Sequence, residues 1–205
     1  MAVTKAVSHQ DFVDLVHTQI LGEPPTAFDD DPQLYPSVQA HIASRLALPV
    51  ESVRLVGSGA MGYSIAPNNF ARPFHRESDL DFAVVSEEAF DATWDVLLRW
   101  AHHHRVPASN QRWFAERQQD VFWGWMMPEK LRFQGLQRPK IIRTLQTMQA
   151  QWFEVFQQLS TDFPGTVLAG RDASARLYRS EGHIVHYQVR GLKHVKRRLE
   201  EQERS

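Results

Sequence analysis

The chain contains no cysteine, and this absence excludes disulfide bonds, thiolate-bound zinc and thiol catalysis. It also lacks a strong charge of either sign, because 23 Lys and Arg nearly balance 24 Asp and Glu. A net charge of −1 predicts no global attraction for nucleic acid. No run approaches the roughly 20 apolar residues of a membrane span, and the first residues carry no signal-peptide pattern. We therefore expect a cytoplasmic protein without membrane contact.

The residues that are present suit a globular α+β protein. Hydrophobic residues make up 42% of the chain, and several segments repeat them every three to four positions, as buried helix faces do. This periodicity predicts helices at residues 8–21, 33–48, 86–104, 140–159 and 181–204, with a further short helix at 60–65. Ser8 and Ser86 are the expected caps of two of them. Apolar runs predict strands at residues 53–56, 79–85, 166–169 and 174–178.

One domain accounts for the length of 205 residues. We expect its core to be a small mixed sheet flanked by helices, formed by residues 33–105 together with strands at 166–179. Residues 1–32, 138–160 and 181–205 would add helices to this core. Residues 106–139 have no clear period and are left without an element.

Residues 53–85 carry the pattern that indicates chemistry. The first strand ends at Gly57 and Ser58, where a small turn exposes backbone N–H groups and a hydroxyl that can bind phosphate. The next strand begins with Asp79 and Asp81, which point to the same face roughly 7 Å apart. Paired carboxylates repel each other, and Mg²⁺ relieves that repulsion. We expect the bend and the acidic pair to meet across a gap the size of a triphosphate, although each alone is also typical of an ordinary turn or a solvated strand end.

The spacer between the bend and the acidic pair contains two arginines. Arg72 and Arg76 would neutralise a triphosphate that lies beside Asp79 and Asp81. The same spacer also fits a solvated loop whose arginines balance Glu77 and Asp79. Both interpretations of the two arginines stay open at the level of the sequence.

Gly57-Ser58 after an apolar strand, followed by Asp79-x-Asp81 between apolar residues, resembles the signature of polymerase-beta-like nucleotidyltransferases, in particular their small stand-alone bacterial members. The resemblance implies transfer of a nucleoside monophosphate from an NTP to a hydroxyl of a small molecule, a nucleic acid or a protein. It implies two Mg²⁺ ions held by Asp79, Asp81 and a third carboxylate, with Gly57 and Ser58 on the triphosphate. By analogy it also implies a bacterial defence or toxin–antitoxin system with a partner protein.

The third carboxylate has no obvious candidate in the sequence. The strand at 174–178 carries Arg176 where an acid would help, and Asp172, in the turn before it, is the nearest alternative metal ligand. Without a third acid, the protein would bind nucleotide or a partner protein and not turn nucleotide over. The aromatic cluster at residues 113–127 is interpreted as core, with a partner-binding or base-stacking surface as the alternative.

The last predicted helix combines an apolar stripe with a basic face. The basic residues are Arg190, Lys193, Lys196, Arg197 and Arg198. Three glutamates near its end, Glu200, Glu201 and Glu203, offset this charge. We therefore predict a solvated face rather than a contact with nucleic acid or an acidic partner.

Overall fold

A computed structural model describes residues 8–66, 68–103, 108–131 and 139–203 of the chain. Within these ranges the protein is α+β, with helices on both faces of one mixed sheet. The strands are β1 (Val53–Val56), β2 (Leu80–Val85), β3 (Trp125–Met126) and β4 (Ala173–Tyr178). The helices are α1 (His9–Leu15), α2 (Leu34–Leu46), α3 (Gly57–Met61), α4 (Glu87–His103), α5 (Ala108–Phe122), α6 (Pro139–Asp162) and α7 (Glu181–Glu203). None of the described helices is both long enough and apolar enough to cross a membrane.

The strand order places β2 and β4 in the middle of the sheet. The order is β1-β2-β4-β3, in which β2 is parallel to β4 and the two outer pairs are antiparallel. A parallel pair needs a crossover connection, and α4, α5 and α6 lie in the chain between its two strands. The register sets Asp81 beside Ser174 and Ala83 beside Arg176. Because side chains alternate along a strand, these four project from the same face.

The two faces of the sheet bury separate apolar clusters. The first face packs against α2 and α6, and its cluster includes Ile42, Leu80, Phe82, Trp152 and Phe156. The second face packs against α7 and the N-terminal helix, and its cluster includes Val16, Ile20, Ala83, Tyr178, Ile184 and Val189. Along their strands, Asp81 and Arg176 alternate with residues of the first cluster. Their side chains therefore project towards the second face. The polar residues of interest thus lie on the side of the sheet that α7 covers.

Helices with clear caps and apolar stripes are confirmed. Ser8 and Asp11 form a capping box in which each side chain accepts a hydrogen bond from the other residue's backbone N–H. Ser86 Oγ accepts from the Ala89 N–H at 3.1 Å and caps α4. The N-terminal helix continues past α1 as a π-helix, Val16–Gly22. The predicted ends of α4 and α7, residues 104 and 204, lie outside the described residues.

The strand predicted at residues 166–169 is wrong. These residues form consecutive turns, in which Ala169 N–H donates to the Thr166 carbonyl and Arg171 N–H to the Leu168 carbonyl, each at 3.1 Å. The apolar run was misleading because Leu168 is buried in the core without belonging to a sheet. β4 already has β2 on one side and β3 on the other, so no edge is left for a hairpin partner.

Other boundaries also differ from those predicted. The short helix expected at 60–65 begins earlier, at Gly57, and ends at Met61, because Gly62 takes a left-handed φ of +78°. β2 begins at Leu80, so Asp79 precedes the strand instead of opening it. The segment left without an element contains α5 and β3. Helix α5 was missed because it is polar over most of its surface and has no continuous apolar stripe.

Candidate functional site

The bend after β1 lies directly beside Asp81. Val56, the last residue of β1, pairs with Asp81 in the antiparallel ladder. Gly57 then turns the chain with a φ of +67°, and a Cβ at this position would lie 3.2 Å from Asp81 Oδ2. Position 57 therefore requires glycine both for its left-handed backbone and for the close approach to the carboxylate. The expected proximity of the bend and the acidic strand is confirmed for Asp81.

Two further carboxylates lie near the start of the central strands. β2 and β4 are parallel and in register, and they begin one residue after Asp79 and Asp172, respectively. Partial burial raises the pKa of Asp79, and the negative charges of Asp81 and Asp172 raise it further, while Arg72 opposes them. Negative charge thus accumulates at this end of the sheet without full compensation. A bound cation would remove the repulsion.

Asp79 and Asp81 are the candidate ligands for a metal ion. Mg²⁺ is usually bound by one or two carboxylates together with substrate phosphates. In the part of the chain that the structure describes, no group of three or more His, Cys, Asp or Glu residues is placed to hold a metal ion. Asp172 acts on Asp79 through its charge, but it does not complete a three-carboxylate group.

Strand β4 places Ser174 and Arg176 on the face where a third carboxylate was sought. Ser174 Oγ donates to Asp81 Oδ1 at 3.2 Å. Arg176 Nη1 lies 3.9 Å from the same oxygen, which is too far for a hydrogen bond. The Asp81 side chain keeps 40% of its surface exposed. The carboxylate is therefore oriented by the serine and still accessible to an ion.

The Arg176 guanidinium lies beside two aromatic rings whose centroids are 5.4 Å apart. It is 5.1 Å from the ring centroid of Tyr187 and 5.8 Å from that of Trp125. Only 22% of the side chain is exposed. Burial lowers the pKa of Arg176, but the neighbouring Tyr187, Tyr178 and Asp81 outweigh burial and raise the pKa. The group is therefore a permanent positive charge held below the surface.

A cavity of about 1180 Å³ separates this face of the sheet from α7. Gly57, Ser58, Asp81 and Arg176 border it on the side of the sheet. The opposite wall is formed by α7 and includes uncharged residues such as Tyr187 and Val189 beside the basic residues His186, Arg190, Lys193, His194 and Arg197. A cavity with one carboxylate and several cations in its walls is complementary to a polyanion that carries a metal ion.

The basic wall was not expected from the sequence. The basic residues of α7 are exposed as predicted, but Arg190, Lys193 and Arg197 border the cavity. Together with His186 they are spaced by four, three and four residues, which places them on one helix face. This spacing was the available signal. It could not show whether these residues border a cavity, because solvated helix faces have the same pattern.

The aromatic cluster at residues 113–127 contains both buried and exposed side chains. Met126 is buried and Trp125 is half-buried. Phe122 and Trp123, in contrast, are 78% and 42% exposed. Trp123 also borders the cavity, with the Arg190 guanidinium 4.9 Å from its ring centroid. The core interpretation thus holds for part of the cluster, and Trp123 offers a ring face at the cavity rim.

The two arginines of the spacer are exposed and do not border the cavity. Arg72 lies close enough to Asp79 to lower the pKa of that carboxyl. Arg76 lies near Arg171, whose pKa it lowers after the larger effect of burial. The structure therefore brings Arg72 to the acidic group and leaves Arg76 away from it.

Arg171 holds the end of the spacer in place, a role that the sequence did not reveal. Its Nη1 donates to the carbonyl oxygens of His75 and Ser78 at 2.6 and 2.8 Å, and its Nε donates to the Val167 carbonyl at 2.7 Å. The guanidinium also lies 4.5 Å from the ring centroid of Phe74. These contacts fix the backbone that leads into the acidic pair.

No family model, curated protein or solved structure matches the chain. The resemblance to polymerase-beta-like nucleotidyltransferases therefore rests on the residues themselves, namely Gly57-Ser58 and Asp79-x-Asp81. Any function has to be argued from the geometry of the cavity that these residues border.

Proposed function

We propose that the protein is a magnesium-dependent nucleotidyltransferase, which moves a nucleoside monophosphate from an NTP to a hydroxyl acceptor. One observation carries the proposal: the Gly57–Ser58 bend and Asp81 border the same cavity, and the opposite wall of that cavity is the basic face of α7. A nucleoside triphosphate with Mg²⁺ matches this arrangement because its phosphates need cations and its metal ion needs carboxylates.

Each wall of the cavity has a distinct role in this proposal. Gly57 and Ser58 contact the β- and γ-phosphates, and Asp79 and Asp81 hold Mg²⁺. The bound ion would neutralise the charge that develops on the transferred phosphoryl group. Cations of α7 neutralise the phosphates from the other side, and the exposed face of Trp123 stacks on the base. Arg72 remains a candidate phosphate contact beside Asp79.

The size of the cavity supports an acceptor beside the nucleotide. Pockets for single small ligands usually measure about 300–1,000 Å³, and this cavity measures about 1180 Å³. The acceptor hydroxyl belongs to a small molecule, a nucleic acid or a protein. The resemblance to small bacterial nucleotidyltransferases favours a role in a defence or toxin–antitoxin pair, with a partner protein as one acceptor.

Labelled nucleotides test the proposal. The wild-type protein, Asp79→Ala and Asp81→Ala are each incubated with the four α-labelled NTPs and Mg²⁺, in bacterial lysate as the source of acceptors. Asp95→Ala is the matched control, because Asp95 is an exposed aspartate that pairs with Arg99 on α4. We expect label transfer and pyrophosphate release from the wild type and the control. Equal signals from all four proteins would end the catalytic proposal.

A second candidate function is nucleotide binding without turnover. It is favoured by Ser174 and Arg176, which occupy the β4 face beside Asp81 where the transferase would carry its third acid. In this case the protein senses nucleotide or docks a partner. Calorimetry then shows Mg²⁺-dependent ATP binding that Asp81→Ala weakens, while the labelling assay stays at background.

A further inference from the structure

Arg176 occupies an unusual position for a buried cation. In the parallel register it stands beside Ala83, and Ser174 stands beside Asp81, so the guanidinium and the carboxylate share one face of the sheet. Arg176 also borders the cavity. The backbone of Arg176 belongs to a central strand, and its guanidinium contacts the rings of Tyr187 and Trp125.

Within the described residues, the Arg176 guanidinium lacks the close hydrogen-bonded anion that a largely buried cation normally has. Its Nε is buried and has no hydrogen-bond partner there. The nearest carboxylate oxygen, Asp81 Oδ1, is 3.9 Å from Nη1, and Glu129 acts on the guanidinium only through its charge. The rings of Tyr187 and Trp125 lie beside it but accept no strong hydrogen bond. Buried cations are normally paired with an anion and fully hydrogen-bonded.

The rest of the cavity points to the kind of anion that is missing. Arg190, Lys193 and Arg197 stand on the opposite wall, and Asp81 is the carboxylate among the residues that border the cavity. The positive charges thus exceed the negative ones by several units. A single carboxylate or chloride ion carries one negative charge, whereas a chain of phosphates carries several and can contact more than one of these cations.

We propose that Arg176 is a fixed cation that binds a phosphate oxygen of the nucleotide, at the position where a third carboxylate would otherwise hold a second metal ion. This inference rests on the proposed function and deepens it. A guanidinium supplies the positive charge of the second ion without needing ligands of its own. The site consequently works with one Mg²⁺ ion, held by Asp79 and Asp81, and binds polyphosphate even without metal.

Inorganic tripolyphosphate in the presence of EDTA is the probe, because it removes both the base and the metal ion from the measurement. Calorimetric titration compares the wild type with Arg176→Gln, Arg176→Met and Arg176→Lys. Arg179→Gln is the matched control, since Arg179 lies on the surface next to β4 and pairs with Asp91 and Glu87. We expect binding that weakens roughly 10- to 100-fold in the Gln and Met variants. Arg176→Lys is expected to lose less affinity for tripolyphosphate, and Arg179→Gln is expected to keep the wild-type affinity.

The methionine variant separates phosphate binding from packing. Methionine can keep the packing beside the two rings but carries no charge, so a purely structural Arg176 predicts wild-type affinity for tripolyphosphate in Arg176→Met. That result would overturn the inference. A second measurement uses only the wild-type protein and so does not depend on the folding of the variants. The nuclear magnetic resonance signal of the Arg176 Nε–H should shift when tripolyphosphate is added. An unchanged resonance at saturation would equally contradict a contact.

The outcomes distinguish this inference from the proposed function. If tripolyphosphate does not bind without metal, while ATP binds with Mg²⁺ and is transferred, the inference fails and the transferase stands. If tripolyphosphate binds through Arg176 but no nucleotide is transferred, the anion site stands and the catalytic proposal fails. In the transferase assay, the inference also predicts no dependence on free Mg²⁺ beyond the amount needed to form the metal–nucleotide complex, whereas a second metal ion would add such a dependence.

Discussion

At the scale of single residues, position 57 decides how closely the backbone approaches Asp81. Gly57 combines a φ of +67° with a distance of 3.2 Å from its would-be Cβ to Asp81 Oδ2. A side chain there would disturb both the backbone and the carboxylate. Gly165 offers a comparison within the same chain, because its φ is +74° and nothing lies within 4 Å of a Cβ at that position.

We expect Gly57→Ala and Gly165→Ala to lower the free energy of unfolding by similar amounts, about 1–2 kcal/mol each, because both force alanine into the left-handed region. Only Gly57→Ala should also weaken binding of the Mg²⁺–nucleotide complex, by about tenfold, since it displaces the Asp81 carboxylate. Urea unfolding and calorimetry measure the two quantities. Equal nucleotide affinity in both variants would show that the backbone at position 57 does not contact the ligand.

Asp79 is one of the residues whose ionisation opposes folding. Its pKa in the folded protein is raised by partial burial and by Asp81 and Asp172. A carboxyl with a raised pKa binds its proton more tightly when folded, so stability falls as the pH rises from the unfolded towards the folded pKa. At pH values above the folded-state pKa of Asp79, this loss of stability is complete.

We therefore expect Asp79→Asn to raise the free energy of unfolding at neutral pH and to have no such effect at about pH 3, where the carboxyl is protonated in both states. Mg²⁺ should stabilise the wild type more than the variant, because the ion relieves the same repulsion. Urea unfolding across this pH range, with and without Mg²⁺, measures both effects. Parallel pH profiles for the two proteins would contradict the raised pKa.

At the scale of elements, the sequence was informative wherever a segment specifies itself locally. Ser8 with Asp11, and Ser86 with its following acidic turn, fix helix starts through contacts three residues apart. The strand at 53–56 needs no more than a β-branched run and a glycine. In contrast, the apolar run at 166–169 resembles a strand, and only the occupied edges of β4 exclude it. Elements that depend on a distant neighbour were therefore the ones predicted wrongly.

The residues of the candidate site also differ in whether a local sequence pattern could reveal them. Gly57 and Ser58 directly follow β1, and Asp81 lies in β2, the next strand along the chain, so a short motif was enough to find them. The basic face of α7 lies more than a hundred residues later, and its orientation depends on how Val185 and Val189 dock on the sheet. No local pattern states on which side of that apolar stripe a cavity will form. The role of Arg171 likewise could not be predicted from the sequence, because two of its carbonyl partners belong to the distant spacer.

The basic face of α7 leads to a prediction about charge. We expect the double variant Arg190→Gln/Lys193→Gln to bind the Mg²⁺–nucleotide complex roughly 100-fold more weakly, because it removes two charge-assisted contacts to phosphate. The loss should shrink at high salt, where the remaining cations are screened. Calorimetry at low and high ionic strength measures both effects.

The matched control for this double variant is Arg99→Gln/Arg112→Gln, which removes the same total charge from exposed positions on α4 and α5. It should leave nucleotide affinity unchanged at either salt concentration. If the control weakens binding as much as the α7 variant, the net charge of the protein would explain the effect, and the cavity wall would have no special role.

At the scale of the whole molecule, the sheet separates a structural face from a functional one. The face towards α2 and α6 is filled by large apolar side chains such as Phe82 and Phe156. The face towards α7 is apolar at one end and polar at the other, where the cavity opens. Asp81 stands on the central strand β2 and Asp79 directly precedes it, whereas most of the cations stand on one helix. A ligand that contacts both would therefore tie α7 to the sheet.

Hydrogen exchange can detect this bridging. A ligand that binds only the closed arrangement stabilises it by about 2.7 kcal/mol at a concentration of 100 times its Kd. Amides of α7 that exchange through local detachment of the helix should slow by the corresponding factor of about 100 when Mg²⁺ and a non-hydrolysable NTP are added. Amides of α2 that exchange through local opening should not change, because α2 packs on the other face. Asp81→Ala should reduce the protection of α7 although it leaves that helix intact, since it weakens the contact between the ligand and the sheet. Protection of residues 57–61 without any protection of α7 would mean that the ligand binds to the sheet alone.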